Sequence, residues 1–160
     1  MGIKLKYLFF DHYWWVLPAV LISVICGMIL AGFKEFGLFL SIIGTLLSLI
    51  YFLHRQRLEE IRLFREIFAE CNARYDKLNE KLNVMMEGPT DEPLDREQLK
   101  TLMDYFNLSG EEYLYYRQGF LFPEVWRAWH KGMLYFLENP RIATVWREEK
   151  KGDSYYGLPL

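Results

Sequence analysis

The sequence predicts an all-α protein. No stretch alternates apolar and polar residues as a half-buried strand does, whereas two long apolar runs and several series of apolar positions spaced by 3 and 4 fill most of the chain. The distribution of charge divides it in two. Between Lys6 and Arg55 the only charged residues are Asp11, Lys34 and Glu35, although the whole chain holds 19 Lys+Arg and 21 Asp+Glu. The two parts therefore read as suited to different solvents.

The first element is a hairpin domain over residues 1–54. Tyr13–Phe33 supplies 21 uncharged positions and Phe36–Leu53 supplies 18, lengths that at ~1.5 Å per residue approach ~30 Å of hydrocarbon. Two transmembrane spans are expected, at about 13–33 and 36–53. Lys34 and Glu35, flanked by Gly32 and Gly37, leave room only for a tight turn. Lys4 and Lys6 before the hairpin and Arg55, Arg57, Arg62 and Arg65 after it predict a multi-pass protein of the inner (plasma) membrane with both termini cytoplasmic. Tyr13, Trp14 and Trp15 at one end, and Tyr51 and Phe52 at the other, fit the cytoplasmic interface. Asp11 and His12 and the lack of a small-residue cleavage pattern argue against a signal peptide, and Lys6 argues against myristoylation.

Small residues recur at helical spacing within these runs: Ser23, Gly27 and Ala31 on the first, and Gly37, Ser41, Gly44 and Ser48 on the second. Such stripes let helix backbones approach closely. They fit each other within one hairpin, the favoured reading, or a second copy in a homo-oligomer. No charged residue interrupts either run, so no proton relay or ion site is encoded there.

Residues 55–87 read as a long amphipathic stalk helix. Ile61, Phe64, Phe68, Cys71, Tyr75, Leu78, Leu82 and Met85 step by 3 and 4 in alternation, a heptad seam without Gly or Pro before Gly88-Pro89. A parallel coiled coil with another copy and cover by later helices of the same chain both fit. The large rings of Phe64, Phe68 and Tyr75 favour the second.

A polar linker, 88–95, leads to a helical domain, 96–152. Asp95 with Gln98 spells a capping box that opens a helix over Arg96–Asn107; Ser109 reads as the cap of a second helix to Gln118, with Glu111 and Glu112 complementing its dipole and Gly119 stopping it. Pro123 opens a third, in which Trp126, Trp129, Met133 and Phe136 share a face, and Asn139-Pro140 separates it from a last helix with Ile142, Val145 and Trp146. Rings at this spacing form a core more often than a ligand pocket. The tail, 153–160, has no period, but Tyr155 and Tyr156 suit it to strap the bundle or bind a partner.

Little in the chain points to catalysis. The histidines, His12, His54 and His130, are isolated, and there is no phosphate-cradling Gly loop, nucleophile elbow or Ser or Cys with an evident His partner. Cys26 and Cys71 lie too far apart in the layout to pair, as in a reducing compartment. Basic and acidic residues alternate after residue 54, which argues against sequence-independent nucleic-acid binding, and no direct sequence-specific binding is expected. No enzyme activity, metal or cofactor is expected.

The stretch Leu102-Met-Asp-Tyr-Phe-Asn-Leu-Ser-Gly-Glu-Glu-Tyr-Leu-Tyr-Tyr-Arg-Gln-Gly119, followed by Phe122-Pro-Glu-Val-Trp-Arg-Ala-Trp129, resembles an uncharacterised bacterial family of membrane-anchored helical proteins. The layout is also similar to the two-transmembrane effectors of anti-phage systems, including those of retrons. The resemblance implies a defence effector that disrupts or depolarises the membrane once released by a cytosolic protein or ribonucleoprotein regulator. On that expectation the bilayer is a partner, and Glu112, Trp126, Trp129, Tyr155 and Tyr156 form the regulatory surface or its support. The alternative is a constitutive membrane-anchored scaffold that recruits a cytosolic protein.

Overall fold

The computed structural model describes the backbone of residues 2–30, 32 and 36–160, and the side chains of these apart from residues 2–11, 13, 14, 17, 36, 38 and 39. Among the described residues the fold is all helical: α1 (Gly2–Leu30), α2 (Phe36–Glu87), α3 (Arg96–Arg117), α4 (Pro123–Phe136) and α5 (Pro140–Glu149), followed by a single 3-10 turn at Lys150–Gly152. The chain divides into two compact units, Met1–Arg62 and Leu63–Leu160. The boundary between the units falls within α2.

In the first unit the expectation of a membrane-spanning hairpin is corrected. No helix among the described residues is long and apolar enough to cross a membrane. α1 is described to Leu30, and Gly32 takes a left-handed φ of 68°. In α2 the apolar stretch from Phe36 gives way to His54 and Arg55 after 18 residues, near the lower end of the ~17–25 that span a bilayer. The inner-membrane, multi-pass placement with two cytoplasmic termini is withdrawn with the spans. The turn at Lys34 and Glu35, the packing residue Ala31 and the rings of Tyr13 and Trp14 lie outside the described residues.

The second unit is built around the last part of α2. Ile67, Cys71, Leu82 and Met85 are buried, and Tyr75 and Leu78 are half-buried against the same core. The cover comes from this chain: Leu102, Tyr105, Phe106 and Leu108 of α3, Trp126, Met133 and Phe136 of α4, and Ile142 and Trp146 of α5. Ile61 is exposed, and Ile67 takes the inward position ahead of Cys71. Phe64 and Phe68 pack sideways, with ring centroids 4.4 Å from Phe122 and 5.7 Å from Trp129.

The helix ends follow local chemistry. Asp95 accepts from the Gln98 amide at 2.8 Å while the Gln98 side chain accepts from the Asp95 amide at 3.0 Å, the reciprocal box that satisfies two free donors. Asn139 caps α5 by accepting from the Arg141 amide at 3.0 Å, and its Nδ2 donates to the Met85 carbonyl at 3.2 Å, fixing α5 to the end of α2. Gly119, with φ 79°, stops α3.

The break expected at Asn107–Ser109 is absent, because α3 runs unbroken for 22 residues. The Ser109 hydroxyl donates to the Tyr105 carbonyl at 2.9 Å, four residues back, and caps nothing. Gly110 reflects a close approach instead: a Cβ there would lie 3.5 Å from the Tyr155 Cα. The tail crosses α3 at this point, with Tyr155 and Leu158 buried.

Candidate functional site

Because α3 is continuous, Glu111 and Glu112 sit within a helix and do not complement an N-terminal dipole. Adjacent helix positions diverge by about 100°, and the two carboxylates meet different surroundings. Glu111 is held by Arg74 of α2, whose Nη1 and Nη2 donate to its Oε2 and Oε1, the second at 3.1 Å. Glu112 turns inward and is 6 % exposed.

Glu112 lines a cavity of about 210 Å³ with Asn72 and Tyr75 from α2, Tyr105 from α3, and Ala128, Trp129, Gly132 and Met133 from α4. The arrangement follows from helical spacing. Tyr105 and Glu112 are seven residues apart and share a face of α3, while Ala128 with Gly132 and Trp129 with Met133 are i,i+4 pairs on α4. The aromatic walls are braced from behind: Trp129 stacks on Phe68 with an interplanar angle of 12°, and Tyr105 meets Phe136 edge-on at 5.4 Å. Tyr75 lies 6.4 Å from Tyr105, and its hydroxyl donates to Asn79 Oδ1 at 3.0 Å. Gly132 leaves the α4 wall low, since a Cβ there would meet nothing within 4 Å.

Glu112 makes no hydrogen bond among the described residues. Burial pushes its pKa up to about 8, nearby Glu111 adds to the rise, and Arg74 opposes it only in part. The carboxyl is therefore mostly protonated at neutral pH. Burial likewise raises the Tyr105 and Tyr75 hydroxyls, with Glu112 adding to both, so the two stay neutral. Cys71 is pushed up to about 12, by burial first and then by Glu112, and is a poor nucleophile. Among the described residues no group of His, Cys, Asp and Glu is placed to hold a metal ion.

The remaining expected positions are scattered. Trp126, 7 % exposed, stacks on Tyr116 at 5.2 Å and 11° and belongs to the core behind the cavity. Tyr155 is buried against Trp146 and Phe106, at 5.1 Å and 6.3 Å. Tyr156 is exposed, and its carbonyl accepts from Arg117 at 2.9 Å. Ser23, Gly27, Gly37, Ser41, Gly44 and Ser48 are exposed, and a Cβ at Gly27, Gly37 or Gly44 would touch nothing within 4 Å. The described stripes thus do not press on each other.

Sequence reasoning missed Asn72, Tyr105 and Gly132 as neighbours of Glu112 in the cavity wall. The seven-residue interval from Tyr105 to Glu112 was the available signal, hidden by the supposed break at Ser109. Compared with known proteins, the chain matches no family model, no curated protein and no solved structure.

Proposed function

We propose that the chain is a non-catalytic effector in two parts, a helical unit that takes a control input and an apolar N-terminal unit that delivers the response by entering a lipid surface from one side. The observation that carries this reading is exposed apolar surface. Trp15, Val20, Ile22, Ile29 and Leu30 on α1 and Leu40, Leu47, Leu49, Tyr51 and Phe52 on α2 are all exposed. Water does not tolerate such a collection of side chains, and runs too short to cross a bilayer can still bury themselves in its interface. The setting that fits is anti-phage defence, through the motif resemblance alone, with a protein or ribonucleoprotein as regulator.

The test is co-flotation of the full chain with vesicles of phosphatidylethanolamine and phosphatidylglycerol, beside Ile22→Asp/Ile29→Asp. The native chain is expected to float and the variant to remain below. A native chain that stays below as a defined oligomer overturns the reading, since copies would then cover the apolar surface.

A second reading, a scaffold that recruits a protein, is favoured by a groove of about 420 Å³ lined by Arg74, Lys77, Asp104, Asn107, Glu111 and Tyr155. Its mixed charge suits a peptide. A scaffold floats without harm, whereas an effector releases dye trapped in the vesicles.

A further inference from the structure

We propose that the cavity around Glu112 binds a small organic cation of the alkylammonium type, held between the Trp129, Tyr105 and Tyr75 rings with its charge on the Glu112 carboxylate. The site lies wholly in the second unit, so the inference does not depend on what the first unit does.

Three observations converge. Glu112 is more than nine-tenths buried, lines the cavity and has no hydrogen-bond partner among the described residues. Its oxygens are not among the sealed unpartnered atoms, which among the described residues are Arg141 Nε and Trp146 Nε1, so they open onto the cavity within reach of a ligand that could complete their hydrogen bonding. The walls are aromatic, and ring faces attract a desolvated cation. The lining contains no Lys, Arg or His, so an anion would meet only the carboxyl. Arg74, the near cation, is engaged by Glu111 in a two-pronged pair. The volume of about 210 Å³ is roughly seven times the ~30 Å³ of a water molecule, room for a compact ammonium with its alkyl groups. The low wall at Gly132 offers the way in.

The carboxyl must ionise to hold the charge, so binding expels its proton and tightens as pH rises. The other titratable and charged groups around Glu112 leave that sign unchanged. On α2, Cys71 and Tyr75 are raised and neutral, and Arg74 stays charged. On α3, Tyr105 is raised and neutral, and Glu111 keeps its ion pair. On α4, His130 faces the Pro159 carbonyl at 3.0 Å.

The test uses the full chain in a maltoside detergent, titrated by calorimetry with choline chloride and with 3,3-dimethylbutan-1-ol, its uncharged isostere, at pH 6 and pH 8. Choline is expected to bind, the isostere at least about tenfold more weakly, and choline more tightly at pH 8. Glu112→Gln, which keeps shape, and Gly132→Leu, which fills the opening from the exposed side, are each expected to abolish binding while leaving the circular-dichroism melt cooperative. Equal binding of the two compounds, choline binding that survives Glu112→Gln, or no heat with choline up to about 10 mM, well above the ~1 mM typical of the weakest specific sites, overturns the proposal.

Discussion

Arg74 on α2 grips Glu111 on α3 with both terminal nitrogens, and this leaves the adjacent Glu112 buried without a cation of its own. The pair is about one-third exposed on each side, so its stabilising value is modest, under about 1 kcal/mol. Its larger effect is on the neighbour. In Glu111→Gln the Glu112 pKa is expected to fall from about 8, because Glu111 raises it and Arg74 lowers it. A carboxyl-carbon NMR titration reads the shift. A Glu112 midpoint that stays put or rises shows that the ion pair does not set its protonation.

The raised pKa also makes folding depend on pH. An unfolded Glu112 loses its proton near 4.5, whereas the folded group keeps it up to about 8. Between these values the native state binds more protons, so stability falls as pH rises, until the loss is complete above 8. At ~1.36 kcal/mol per unit the ceiling is on the order of a few kcal/mol. Glu112→Gln is expected to gain more over the native chain at pH 8 than at pH 5 in urea unfolding. An equal difference at both pH values shows that Glu112 titrates as an ordinary carboxylate.

The tail is part of the core. Tyr155 packs on Phe106 and Trp146, and its hydroxyl donates to Glu149 Oε2 at 3.1 Å. Leu158 is buried beside them, and His130 and Lys150 hold the last residues through the Pro159 and Leu160 oxygens, at 3.0 Å and 2.5 Å. Tyr155→Ala is expected to destabilise the unit by about 3 kcal/mol, the usual cost of emptying an aromatic site. A change below about 0.5 kcal/mol, as for a surface position, contradicts this packing.

Much of this fold was legible where a single residue type has one physical job. Asp95 with Gln98, Gly119, Pro123 and Asn139-Pro140 each mark a boundary that the structure shows. Ser109-Gly110 misled because its chemistry is ambiguous. A serine that caps one helix can bond backwards in another, and Gly110 beside it serves only to admit the Tyr155 backbone. The same error hid the site, since Glu112 reads as a dipole partner at a helix start and as a cavity wall two turns after Tyr105. The apolar runs misled through length. Their lengths sit near the lower bound of a bilayer span, about 17–25 residues, where length alone does not decide.

The two cysteines allow the first unit to be labelled on its own. Cys26 is exposed on α1, whereas Cys71 is buried with its thiol pushed up to about 12, so a maleimide dye labels Cys26 selectively. The measurement is the emission of an environment-sensitive dye on Cys26 as vesicles are added to the full chain. A shift to shorter wavelength, with protection from a water-soluble quencher, is the result expected if α1 buries its apolar surface in lipid. Unchanged emission with full quenching contradicts it, and the apolar helices of the first unit then meet a protein surface instead.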